Sequence, residues 1–319
     1  DFQYSFSGNF AFNHNRVSKY KGALKEYWEE GAGGLRTFVS NLGEVSTGSS
    51  TRILEGHTIN EYYMLTPYQG DASYFDDFGM VNINGGPKDG MIRTEMDMAW
   101  LQAMIASGYT FYPMQGVGKD KIWYGDYIYA DVDGDGIYGN TYDNVFTGKS
   151  STPKFTFGFQ GSFGWKGLDL QFSFAGAAGF WLYWNETGAN NTGTRIGYNL
   201  LSSVAKDHYF YDPANPLDPR TNTTSKTARL TANEGNNQQG EKSTLHLYRG
   251  DYLKLKNLTI GYTLPEKYAK KILMKGLRVY VSGENLFNIT SYPGQDPEMG
   301  AGMGYVTMRQ ISLGANLTF

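Results

Sequence analysis

The sequence predicts an all-β fold, an antiparallel transmembrane β-barrel wall with long loops. Three observations predict it. Segments of about ten residues repeat with a period of two, one side uniformly apolar and the other polar, which suits a tilted strand crossing lipid. No stretch of the 319 residues approaches the ~18 continuous apolar residues of a membrane helix. Aromatics reach 16%, with 25 Tyr and 41 Gly. Such a composition fits aromatic belts at the lipid headgroups and glycine at turns and crowded wall positions. The mean hydropathy of −0.46 fits a barrel, in which only alternate strand residues face lipid.

The first strand is expected at 2–13, with Phe2, Tyr4, Phe6, Phe10 and Phe12 opposite Gln3, Ser5, Ser7, Asn9 and Asn13. The segment 14–152 that follows is too long for a bare loop and must hold structure of its own. Within it Glu26, Glu29 and Glu30 read as a solvated charged run. Thr94 and Asp97 have capping-box spacing, Met98, Leu101 and Ile105 follow at helical spacing, and Gly108 stops the run, which predicts one short helix.

Strands are next expected at 153–165 and 168–180, joined by a tight Lys166-Gly167 turn. Phe155, Phe157, Phe159, Phe163 and Trp165 share the first apolar side; Leu168, Leu170, Phe172, Phe174 and Phe180 share the second. Trp181, Tyr183 and Trp184 read as exposed aromatics, either an interfacial girdle or a platform for a sugar or peptide. Within the segment 181–250, the polar stretch 218–244 reads as a mobile surface loop. The strand at 251–264 places Leu258, Ile260, Tyr262 and Leu264 together, and the strand at 277–287 does the same for Leu277, Val279 and Val281. After the segment 288–306, with its alternating Gly300, Gly302 and Gly304, the last strand at 307–319 sets Arg309, Ile311, Leu313, Ala315, Leu317 and Phe319 opposite Met308, Gln310, Ser312, Gly314, Asn316 and Thr318. An aromatic final residue fits the closing strand of a bacterial outer-membrane barrel.

Short and long connections alternate. Barrels of this type have short periplasmic turns and long outer loops, so 14–152, 181–250 and 288–306 are expected to face outside. Six strands leave two open edges, and unpaired backbone groups in lipid cost several kcal/mol each. The chain is therefore expected to be the carboxy-terminal part of a larger barrel.

Asp131, Asp133 and Asp135 occupy positions 1, 3 and 5 of a loop, with Gly136 at 6 and the Ile137 carbonyl at 7. This is the first half of an EF-hand-type calcium loop. Position 12 is Tyr142 rather than Glu, and Asp143, one residue on, could close the site. The pattern reads as a site for calcium or another divalent ion, or as a solvated Asp-Gly turn. No catalytic constellation is recognised. His14, His57, His208 and His246 are scattered and read as ordinary surface or loop residues. Cysteine is absent, which excludes disulfides, thiolate metal sites and cysteine catalysis. A net charge of −3 leaves no basic footprint for nucleic acid.

The run Gly125-Asp126-Tyr127-Ile128-Tyr129-Ala130-Asp131-Val132-Asp133-Gly134-Asp135-Gly136-Ile137, with Asp143, Gly148 and Ser151-Thr152-Pro153-Lys154-Phe155 after it, resembles a signature of the SusC/RagA family of TonB-dependent outer-membrane transporters. Glu55-Gly56-His57-Thr58-Ile59 leading to Tyr62-Tyr63, the strand Gly250 to Tyr262, Val281-Ser282-Gly283-Glu284-Asn285-Leu286-Phe287 and the final Phe319 resemble further family segments in the same order. One departure is Tyr209-Phe210-Tyr211-Asp212-Pro213-Ala214-Asn215-Pro216, where the family often has Trp before its Pro-x-Asn-Pro.

The resemblance implies a complete barrel of about 22 strands, of which this chain supplies the carboxy-terminal part, with the plug domain and the TonB-contacting segment outside it. It implies active import of nutrient oligomers, glycan or peptide, across the outer membrane, with no enzymatic step. A SusD-like surface lipoprotein and the TonB complex are the implied partners. The other readings are a secreted, calcium-stabilised β-sandwich adhesin and a passive porin.

Overall fold

The computed structural model describes residues 2–31, 34, 36–48, 51–184, 200–231, 241–302 and 304–319. Six strands form one sheet in sequence order: β1 (Phe2–Phe12), β2 (Phe155–Trp165), β3 (Leu168–Ala178), β4 (Tyr252–Thr263), β5 (Gly276–Thr290) and β6 (Gln310–Thr318). Every neighbouring pair is antiparallel. All six expected strands are present. The largest boundary differences are β6, which starts at Gln310 rather than 307, and β5, which runs on to Thr290.

The register puts the expected apolar residues on one face. Tyr4 lies opposite Phe163, which lies opposite Leu170; Phe159 lies opposite Phe174 with ring centroids 4.7 Å apart. Phe155, Phe157, Phe159, Phe172 and Phe174 share this face, and none of them is buried. Phe6, Ile260 and Leu313 are likewise exposed, at 60%, 47% and 82%. Among the described residues no second sheet packs on this one. The apolar side thus faces outward from a single-layer wall, and the sandwich reading falls.

Two local features hold the wall in phase. Leu253 and Leu255 are out of step with Leu258 by parity, yet they join the same face, because the register with β3 and β5 skips Lys256. That is a β-bulge, in which two residues oppose one. Asn285, at φ 50°, accommodates the matching irregularity in β5. On the polar face Arg278 of β5 reaches over β4 to Asp169 of β3, Nη2 to Oδ2 2.6 Å. Gly261 lies beneath this pair, and a Cβ there would come within 2.5 Å of the guanidinium.

Both chain reversals at the lower end are short. Lys166 and Gly167 have φ of 47° and 88°, the left-handed pair a two-residue hairpin needs. The connection from β4 to β5 holds a short helix at Glu266–Ala269. The three long connections leave from the opposite end and carry the hydrophobic core. The largest fully buried side chains, including Trp100, Tyr129, Tyr209 and Phe111, all lie in these connections and none lies in the six-stranded sheet.

The expected helix is present as α1 (Glu95–Ala106), and Thr94 and Asp97 make a reciprocal capping box. Trp100 and Met104 are buried as fully as Leu101. The charged run lies in a hairpin of Glu26–Glu30 with Arg36–Ser40, where Glu26, Glu29 and Glu30 are exposed.

Two expectations are corrected. Trp181 and Tyr183 pair with the strand Leu247–Arg249, and Trp184 is buried against Tyr248 and Tyr292. These aromatics fill the seam between wall and connections rather than standing exposed. Within 218–244, residues 232–240 lie outside the described set, and residues 223–229 are stitched down. Arg93 donates to the Thr223 and Ser225 carbonyls, and Arg229 pairs with Asp126. His246, read as a surface or loop residue, lies in the connection between β3 and β4 and is buried there.

Candidate functional site

The Asp loop is built by backbone donors. Asp131 accepts from the Gly134 and Gly136 amides at 2.7 and 3.0 Å, which closes the turn, and Gly136 takes the left-handed φ of 82° that a sharp bend needs. Asp143 is fully buried. It accepts from the Val132 amide at 2.6 Å and from those of Gly139 and Asn140 at 2.8 and 3.0 Å. The Trp28 indole donates to the Asp133 carbonyl at 3.0 Å, so the hairpin at 26–40 braces the loop.

Asp131, Asp133 and Asp143 each offer an oxygen within 4.8 Å of the other two. Asp135 stands outside this set. Its carboxylate accepts from the Ile137 amide at 2.6 Å and the Asn140 side chain at 2.7 Å. The structure thus brings together three of the four expected carboxylates. Ile137 lies in a two-residue strand beside Thr110. Asn140 was missed in the sequence, although Asn140 and Asp143 have capping-box spacing and make that box around a turn of 3₁₀ helix. None of the histidines joins such a cluster among the described residues.

Three carboxylates close together in a half-buried place repel one another. Burial, then the neighbouring Asp135, Asp143 and Asp131, push Asp133 up to about 6; burial pushes Asp143 up to about 6 against its three backbone donors. One oxygen of Asp133 is buried without a hydrogen-bond partner. A carboxyl held above its unfolded value stabilises the fold below about pH 4, and that contribution is lost as pH rises through about 6. Without divalent cations, proteolysis within 131–143 is therefore expected to speed up from about pH 5 to about pH 7. A flat profile would contradict this electrostatic picture.

Beside the loop opens a cleft of about 620 Å³, lined among others by Arg52, Tyr63, Tyr112, Asn140, Tyr142 and Glu241. On the polar face of the wall, Gln160 donates to Ser7 at 2.9 Å and Asn257 lies 3.3 Å from Ser173, so this face is a band of small hydroxyls and amides. Lys254, almost fully buried, contacts Asp296 and Glu298 at 2.6 Å each and ties the last long connection to the wall.

A scan against protein-family models finds no match. Among curated proteins, TonB-dependent receptor P3 of Formosa agariphila is 31% identical over 210 residues, 61% of this chain and 19% of that protein. TonB-dependent receptor P26 of the same organism is 28% identical over 208 residues, 60% of this chain and 19% of the relative. The whole chain also superposes on the RagAB peptide importer. In the closed-closed state the TM-score is 0.56 at 22% identity, with 100% of this chain and 28% of that chain covered. In the open-open state the TM-score is 0.58 at 22% identity, with 100% and 27% covered. The chain is thus similar in sequence to TonB-dependent receptors and in fold to the RagAB peptide importer. It has the fold of part of a TonB-dependent transporter barrel and spans about a fifth of the curated relatives' length. The outer-membrane location expected from the sequence goes with that likeness. The relatives are named as receptors and importers, not as enzymes.

Proposed function

We propose that this SusC/RagA-like chain is the carboxy-terminal wall and outer-loop region of an active importer of nutrient oligomers, glycan or peptide, energised through TonB and working with a SusD-like surface lipoprotein. One observation carries this reading: a six-strand antiparallel meander whose exposed face is apolar and whose opposite face is polar. Such a sheet is a barrel wall between lipid and an aqueous lumen. Its outer edges, on β1 and β6, have no partner strand among the described residues, and lipid cannot satisfy them. In this reading the remainder of the same barrel pairs with both edges, and 14–152, 181–250 and 288–306 face outside. The likeness to proteins named TonB-dependent receptors supports active import over a passive porin.

The test is complementation in a strain lacking the transporter. The full-length protein is expected to restore growth on its oligomer only when TonB is present, and residues 1–319 alone to restore none. Full uptake by this chain alone, or uptake indifferent to TonB, would overturn the proposal.

Within the same reading, Asp131, Asp133 and Asp143 would hold a calcium ion that pins the loop. Their convergence and the unpartnered Asp133 oxygen support this. Added calcium is then expected to protect 131–143 from proteolysis near neutral pH, and Asp143→Asn to abolish that protection. Equal cleavage with and without calcium would remove the ion from the account.

A further inference from the structure

A second cleft, apart from the Asp loop, lies where residues 119–124 meet residues 205–230. Its volume is about 660 Å³, within the range of small-ligand sites. Tyr209 to Asp212 form a continuous part of its lining. The two walls are locked together. Arg229 pairs with the buried Asp126 at 2.9 Å and donates to the Lys119 and Lys121 carbonyls at 3.0 and 2.9 Å. Tyr209 packs so closely on Gly125 that a Cβ there would come within 2.4 Å of its ring.

Two kinds of group line the cleft. Trp123 and Tyr211 are half-buried and keep part of their surface open. Both meet Tyr124 edge-to-face, at 5.2 and 5.1 Å, which fixes their tilt. The Arg220 guanidinium covers Phe210 at 4.6 Å, so that ring is already occupied.

The charged groups favour one sign. Lys119, Lys206, Arg220 and Arg229 line the cleft against a single carboxylate, Asp212. Asp218 and Asp126 neutralise the two arginines, and Glu95 meets the Tyr211 hydroxyl at 3.3 Å. Lys119 and Lys206 are exposed and have no carboxylate partner among the described residues. Lys119 and Lys206 are thus the two cationic groups of the lining left open to an anionic ligand.

We propose that this cleft binds an anionic oligosaccharide, a sugar segment bearing carboxylate or sulfate groups. The proposal rests on the import reading and names a substrate class for it. A pyranose ring presents C–H faces that lie on aromatic rings such as Trp123 and Tyr211, while its acidic substituents reach Lys119 and Lys206. An acidic peptide fits less well. Peptides are commonly held along an open strand edge or in a helix groove, and Phe210 meets Asn222 here only through an isolated bridge.

The test uses the full-length transporter in detergent and four probes: a galacturonic acid tetramer, a sulfated chondroitin tetrasaccharide, maltotetraose and tetraglutamate. One or both acidic sugars are expected to bind, at least about tenfold more tightly than maltotetraose and more weakly as salt rises. The two acidic probes separate carboxylate from sulfate recognition. Lys119→Glu with Lys206→Glu, and separately Trp123→Ala, should each weaken binding about tenfold, while Lys119→Arg with Lys206→Arg retains it. Heat-modifiable gel mobility checks that each variant is folded. No acidic sugar bound, binding unchanged in the folded charge-reversed protein, or tetraglutamate alone bound would overturn the proposal. Binding in detergent is independent of uptake, so a cleft that binds in a protein unable to support TonB-dependent growth would sink the import reading and leave the site standing.

Discussion

Replacing Trp100 by Ala is expected to unfold the loop core and leave the barrel wall standing. Trp100 is fully buried on α1. Its ring stacks on Tyr68 at 5.3 Å, its indole donates to the Asn82 carbonyl at 2.7 Å, and its six-membered ring lies on Gly86. Truncation removes these contacts and opens a cavity under Met91, Ile92 and Phe111, which belong to the same cluster. Losses of this kind cost about 3–5 kcal/mol, a large part of the stability of a small domain. The six-stranded sheet contributes none of the residues of that cluster. Rapid proteolysis between residues 60 and 130, with unchanged heat-modifiable gel mobility of the full-length barrel, is the predicted outcome. Unaltered proteolysis would mean that the core is not held by α1.

The second large effect concerns the face of the wall. Ile260 lies toward the end of β4, between Leu170 and Val281, and is 47% exposed on the apolar face. An arginine on the lipid side costs up to about 2–4 kcal/mol at the bilayer midplane and less toward the interfaces. Thr259, one residue away, points to the polar face between Gln171 and Ser282. Ile260→Arg is therefore expected to impair barrel assembly strongly, while Thr259→Arg costs at most about 1 kcal/mol, as at a wetted position. Folding of the full-length protein into lipid vesicles, followed by urea unfolding, measures both. Equal effects of the two changes would deny that the faces differ in solvent.

The wall was legible in the sequence because a strand in lipid writes its environment at every second residue. Phe155 to Trp165 and Leu168 to Phe174 show this directly. It was less legible where geometry changes the phase. Leu253 and Leu255 break the parity of Leu258 and Ile260, and only the bulge at Lys256 reconciles them. The long connections hid their core because partners distant in sequence build it. Tyr209 donates to the Arg93 carbonyl, and Arg229 seeks Asp126, contacts no periodicity reveals.

For the same reason Trp181 and Trp184 read as exposed, since their partners are distant in sequence: Tyr62, Met64 and Leu247 for Trp181, and Tyr248 and Tyr292 for Trp184. In the Asp loop the spacing anticipated the closeness of Asp131, Asp133 and Asp143. Asp135 left the set because Asn140 lies close enough to take its carboxylate.

If the sheet β1 to β6 is a barrel wall, lipid lies on its apolar face and water on the other. The most direct measurement places an environment-sensitive fluorophore, one position at a time, along residues 155–165 of the full-length transporter and records quenching by brominated lipids. Strong quenching at 155, 157, 159 and 163, with little at 156, 158, 160 and 162, is the predicted pattern. Uniform quenching, or none at any position, would contradict the account.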